Sequence, residues 1–409
     1  MPIDEDYWHD PHPLHTRLAE QGPIHRMCLP DQIPVWLVTG YEEVRAGLRD
    51  QRLARNRKYA GPDYTCTTYP EGQDYTRLIT EDPPEHTATR RLINFAFTPR
   101  RIEQIQPKIH EITAELLDGV ERAAAANAGV VDLMPSYFAP LPISVISGIL
   151  GLPAEHLDRV LAVTNAEFAL AEGRFDGPVD TDPFGAAAAT ALGELGQIII
   201  ELVQDRRTDP TEDLISHWAT ATDERGDLLP VTDIMGMVLI LYLGGYDTTA
   251  GMLVSSTLDL LEHPEQLVRL RADPDLFPAA VEELLRRNSS VLRGFRRFAT
   301  EDLAIGGQPI AAGDTVLLSI SAANRDRAMF ADAQVFDLER PGNDLHIAFG
   351  YGPHHCPGHR LATVEVQIAL QALFQRFPDI EITVPREQIP WRRSSFCRAS
   401  YGLPARVRK

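Results

Sequence analysis

The chain reads as predominantly helical with short β segments. Apolar residues recur at helical spacing over long stretches, the longest at 230–262, while brief β-branched runs broken by glycine stand at 33–39 and 305–319. A hydrophobic content of 44% and a charged content of 24% describe an ordinary globular chain. At 409 residues it is long for one domain, yet one large unit spanning residues 1–409 is within reach. The net charge of −19 argues against nucleic acid or an anionic membrane as partner. Four scattered cysteines offer no disulfide framework and suit a reducing cytoplasm. Met1–Asp6 is acidic, with no secretory core, and the longest uncharged apolar run, Ile234–Tyr246, has 13 residues, too few to span a bilayer.

Taken in order, Ile33–Thr39 reads as a strand stopped by Gly40, and Tyr41–Arg49 as a short amphipathic helix. Residues 55–80 carry tyrosines at 59, 64, 69 and 75 among glycine and proline, which is a loop long enough to suspect function. A helix starts near Asp82, expected as its N-cap, with proline in the first turn. His86 and Arg90, four apart, share one face of it. Helical periodicity continues from Pro99 to about Ala125, and then over Pro142–Leu150, Ala154–Leu170 and Gly185–Arg206. Gly173–Pro183 interrupts it as a connection.

Pro230–Glu262 is apolar all round at its centre and so reads as buried. Gly244 and Gly245 inside it cost roughly 1 kcal/mol each against alanine and need a reason. Either another backbone crosses closely there, or a flat cofactor lies against a local opening of the helix beside Asp247 and Thr248. Further on, Glu283 and Arg286 are neighbours three apart in the helix Phe277–Arg287.

Residues 345–363 read L-H-I-A-F-G-Y-G-P-H-H-C-P-G-H-R-L-A-T. Cys356 follows a glycine-rich loop and precedes a helical segment running from Leu361 toward Phe374, where the helix dipole favours a thiolate. Glycines 350 and 352 allow the backbone to fold tightly beneath a flat ligand. Alternatively Cys356 is an inert buried thiol, or His354, Cys356 and His359 form part of a zinc site.

Phe349-x-x-Gly352-x-x-x-Cys356-x-Gly358 resembles the haem-binding loop of the cytochrome P450 family. Three further motifs resemble the same family in the same order. They are D-P-P-E-H-x-x-x-R with His86 and Arg90, G-G-x-D-T at Gly244–Thr248, and E-x-x-R at Glu283–Arg286, joined later by Arg340. The resemblance covers the chain from about Ile24 onward. It implies a mainly helical fold with small β-sheets, holding haem b between the long central helix and the helix after the cysteine loop.

The resemblance also implies residue roles. Cys356 would ligate the iron, with Phe349 and Gly358 shaping its loop, and its thiolate would favour O–O cleavage. Asp247 and Thr248 would deliver protons toward dioxygen, for which Gly244 and Gly245 leave room. His86, Arg90, Arg297 and His354 would hold the propionates. Glu283, Arg286 and Arg340 would form a buried network fixing the cysteine loop.

Two positions depart from the pattern. Pro357 follows the cysteine and lacks the N–H that would point to sulfur, and Thr363 stands where many relatives have arginine. Pocket positions carried over are the 55–80 loop, Phe168–Pro183, Tyr242, Tyr246, Val291, Leu292, Arg293 and Phe396 within Ser395–Cys397. Arg293 could face a substrate carboxylate or pair internally.

The implied activity is O2-dependent monooxygenation, as hydroxylation or epoxidation of a medium or large natural product in secondary metabolism. An oxidative ring closure or coupling, or a non-catalytic haem protein, would be the alternatives. With no fused reductase expected after Lys409, electrons would come from a separate ferredoxin and ferredoxin reductase in the cytoplasm, with Arg91, Arg100, Arg101 and Arg360 as basic docking residues.

Overall fold

About 59% of the chain is helical in a computed structural model that describes residues 5–28, 33–62, 64, 77–164, 183–222 and 225–408. The chain separates into two compact units that interleave in sequence. The first comprises Met1–Thr65, Ile109–Pro140 and Asp247–Lys409, and the second Cys66–Lys108 and Leu141–Tyr246.

Among the described residues, all the sheets fall in the first unit. The main sheet has five strands in the order Ile24–Cys28, Pro34–Val38, Thr315–Leu318, Arg297–Ala299 and Leu53–Ala54. Pro34–Val38 runs parallel to Thr315–Leu318, and the other pairings are antiparallel. One face buries Val38, Val44, Leu48, Val316, Leu318 and Ile347, so the amphipathic helix Tyr41–Arg49 packs beside the segment that leads into the cysteine loop. The other face buries Val35, Leu37 and Leu317 with Tyr7, Leu14 and Leu292. A three-stranded sheet, Val130–Asp132, Pro404–Arg406 and Glu381–Ile382, ties down the C-terminal segment.

Helices dominate the second unit. Asp213 caps Leu214–Thr220 by accepting from the Ser216 N–H at 2.6 Å, and Arg206 pairs with the same carboxylate at 2.8 Å. Trp218 is fully buried and donates its indole N–H to the Leu92 carbonyl at 3.2 Å.

Two expectations change. The helix at 82 starts instead at Glu85, after the prolines; no side chain caps it, and the Asp82 carbonyl accepts the His86 N–H at 3.0 Å. Proline ahead of the first turn fixes the entry and removes one donor a cap would satisfy. The central helix, Val231–Glu262, is unbroken through Gly244 and Gly245, without a local opening. It is also long and apolar enough by composition to cross a membrane, but 78% of its most apolar window is buried within the protein, the pattern of a core helix. Leu292, expected at the pocket, is buried. In extended backbone successive side chains alternate, and its side chain turns into the core beside Leu37 and Leu317.

Candidate active site around Cys356

Glu283 is fully buried and accepts four hydrogen bonds. Arg286 forks onto it through Nε (2.7 Å) and Nη2 (2.9 Å), Arg340 Nε donates at 3.1 Å, and the Asp337 N–H at 3.3 Å. A bidentate guanidinium in a desolvated setting is both strong and directional. Remaining guanidinium donors reach backbone carbonyls, Arg286 at Asn324 and Ala333, and Arg340 at Asp332 and Val335.

Asn324, fully buried, carries this network onward. Its Nδ2 donates to Ser289 Oγ at 2.7 Å, and its Oδ1 accepts the Ile347 N–H at 2.8 Å. Sequence reasoning passed over Asn324, because a lone asparagine in an irregular stretch has no local pattern and its partners are distant in sequence.

From Ile347 the chain enters the cysteine loop. Gly350 and Gly352 adopt left-handed φ of 73° and 76°, a region costly to residues with a Cβ. A Cβ on Gly352 would lie 3.1 Å from Arg49 Cα and Leu48 O, so the loop rests on the backbone of the helix Tyr41–Arg49. The loop closes when the Cys356 N–H donates to the Phe349 carbonyl at 2.9 Å. Cys356 is half-buried, and Gly358 precedes the helix His359–Arg376 as its N-cap. Pro357 supplies no N–H toward the sulfur. Thr363 returns its hydroxyl to the His359 carbonyl at 3.0 Å.

His354 is half-buried in a turn of 3-10 helix, Gly352–His354. Arg297 is buried and donates to the Leu53 and Leu48 carbonyls at 2.9 and 3.2 Å. In the other unit, His86 is buried and Arg90, half-buried, donates through Nε to Asn94 at 2.8 Å. Among the described residues no three His, Cys, Asp or Glu side chains could hold a metal ion together, so the zinc reading of His354, Cys356 and His359 has no support.

The two glycines of the central helix do different work. A Cβ on Gly245 would fall 2.3 Å from Ile146 Cδ1, so Gly245 serves helix packing. Gly244 is exposed, and a Cβ added there would find open space; it lies on the same helix face as half-buried Thr248 one turn later. Asp247 is buried, with Oδ1 2.9 Å from Arg392 Nη1 and a hydrogen bond from the Cys397 side chain. Burial raises its pKa, and Arg392 and Cys397 act in the opposite direction. Arg392 had no sequence signal, since long-range pairing leaves none.

Pocket candidates divide. Tyr242 is buried with its hydroxyl 2.8 Å from Ser147 Oγ, and Tyr246 is also buried. Arg293 donates to the Gly294 carbonyl (3.3 Å) and Ser395 Oγ (3.2 Å), and lies beside the Phe396 ring. Val291 is half-buried and bridges to Cys397. Residues 63, 65–76 and 165–182, which include most of the suspected tyrosine loop and the 168–183 connection, lie outside the described residues.

A thiol closing a tight glycine loop, at the foot of a helix and tied to a buried Glu–Arg–Arg network, defines a haem-thiolate protein. The donor chemistry fits such a group: the half-buried Cys356 sulfur could ligate iron. The family model for cytochrome P450 matches residues 3–392, and the chain belongs to that family. Nocardicin C N-oxygenase of Nocardia uniformis subsp. tsuyamanensis is 40% identical over 397 residues, covering 97% of this chain and 95% of that protein. Cytochrome P450 monooxygenase PikC of Streptomyces venezuelae is 37% identical over 407 residues, covering 100% and 93%. The solved structure of the bacillaene polyketide synthase cytochrome P450 PksS from Bacillus subtilis 168 superposes with a TM-score of 0.87 at 35% identity, covering 100% of each chain. The protein is a haem-thiolate monooxygenase.

Proposed function

We propose that this monooxygenase inserts one O2-derived oxygen atom into a medium or large natural product, polyketide or peptide-like, in the cytoplasm. The observation that carries the site is the Cys356 loop, closed onto Phe349 and supported from Asn324. Kinship with PikC, PksS and an N-oxygenase supports the substrate class and admits nitrogen as well as carbon as the acceptor atom. The bound group is haem b, which supplies the oxidising chemistry.

The residues do the rest. Cys356 supplies the sulfur ligand, and the absent N–H at Pro357 leaves that sulfur electron-rich. Arg297 and His354 offer donors to the cofactor's carboxylates. Thr248 orients a proton donor, and Asp247 passes protons to it from the protein interior. Electrons come from a separate ferredoxin and its reductase; exposed Arg91, Arg100 and Arg360 are the docking cations. Arg101 is engaged over the Phe95 ring at 4.0 Å.

Turnover with surrogate ferredoxin, reductase, NADH and isotopically labelled dioxygen over a panel of macrolactones and peptide-derived metabolites tests this. Products one labelled oxygen heavier support the reading. Products that only lose hydrogen would replace it with oxidative coupling.

A further inference from the structure

The segment Trp391–Ser400 is built to carry a side chain to the central helix. Trp391 bridges to Ser400, the Arg392 N–H donates to the Ala399 carbonyl at 2.9 Å, and the Arg398 N–H to the Ser290 carbonyl at 2.7 Å. The helix accepts this segment at Gly251, where a Cβ would lie 2.3 Å from the Arg398 carbonyl oxygen. That contact is one helical turn from Asp247. With the backbones locked together there, Arg392 extends to Asp247 and the Cys397 side chain hydrogen-bonds to it, all three residues being buried.

We infer that Arg392 is a positioning residue for proton delivery: it holds Asp247 as a fixed carboxylate beside Thr248, with Cys397 as its second partner. The inference rests on the proposed proton-delivery role of Asp247 and Thr248. The geometry separates holding from transfer. Arg392 Nη1 stands 2.9 Å from Asp247 Oδ1 but off the axis of a well-formed hydrogen bond, so Coulomb attraction dominates. The charge of Arg392 favours the ionised form of Asp247, against the burial that favours the neutral acid. Arginine suits the task because its guanidinium does not give up a proton at any working pH. Without Arg392, only the Cys397 hydrogen bond would oppose burial, and the neutral acid would be favoured.

The test is infrared pH-difference spectroscopy of the haem-loaded full-length protein, following the carbonyl stretch of a protonated carboxyl assigned by its loss in Asp247→Asn. In Arg392→Gln the protonation midpoint should rise by about one pH unit or more, with Arg392→Lys intermediate. A midpoint unmoved in both variants overturns the inference. Should Arg392→Gln not fold, Arg392→Lys alone carries the comparison, because its compact ammonium cannot reproduce the guanidinium contact.

Peroxide released per NADH consumed is the second readout. A shifted midpoint with increased peroxide release in Arg392→Gln supports the positioning role. A shifted midpoint with wild-type peroxide release, while Asp247→Asn does increase it, removes that role. Peroxide release unchanged in Asp247→Asn itself would instead overturn the underlying assignment of Asp247 and Thr248.

Discussion

The backbone N–H of Ile347 donates to the side-chain Oδ1 of Asn324 at 2.8 Å, and the carbonyl of the same asparagine accepts from Arg286. One residue thus joins the buried Glu283–Arg286–Arg340 network to the segment entering the cysteine loop. Replacing Glu283 by alanine strands two buried guanidinium groups and should cost about 3–5 kcal/mol. Asn324→Ala should lose less stability but more of the haem-thiolate species, since it frees the loop while leaving the ion pairs intact. Denaturation curves and the haem absorption of each purified variant check both outcomes.

Gly352→Ala should destabilise by at least about 1 kcal/mol from its left-handed φ alone, and by more because the added Cβ presses on the backbone at Leu48 and Arg49. Gly350→Ala has a similar φ, but its nearest neighbour is 3.8 Å away, so it should be milder. Equal losses in a urea titration would mean that strain, not the contact with the helix, governs the loop.

Pro357→Leu restores a backbone N–H next to the cysteine. A donor toward sulfur withdraws electron density, so the haem reduction potential should rise. Potentiometric titration measures it, and an unchanged or lower value refutes the argument.

His15 is buried and His12 half-buried around Ser321, their rings 3.3 and 3.5 Å from its hydroxyl. Burial lowers both pKa values, His15 to about 4, and Arg325 adds to the shift; Arg398 and Arg287 also oppose protonation of His12. The folded state therefore keeps both rings neutral where the unfolded chain protonates them. Their contribution is fully present above pH 6.5 and is lost as pH falls from there toward 4. His15→Gln cannot titrate, so its stability should fall less steeply across that window in denaturant titrations at stepped pH.

The legible parts of the fold were those with local periodicity. Tyr41–Arg49 and the central helix declared themselves because a single amphipathic or apolar face repeats at helical spacing. The Cys356 loop was legible through its glycines, whose φ values only that residue adopts readily. Contacts between distant segments were not. Asn324, Arg392 and the Gly251 crossing depend on which backbones meet, and no spacing within the chain encodes that. The burial of Leu292 against Leu37 and Leu317 was illegible for a related reason: which face of a short extended run turns inward is decided by the sheet behind it.

The most direct test of the haem-thiolate assignment is the absorption spectrum of the reduced, carbon monoxide-treated protein, wild type beside Cys356→Ala. A strongly red-shifted Soret band in the wild type, lost in the variant, is the expected result. A colourless wild-type protein, or a band indifferent to Cys356, would contradict the account.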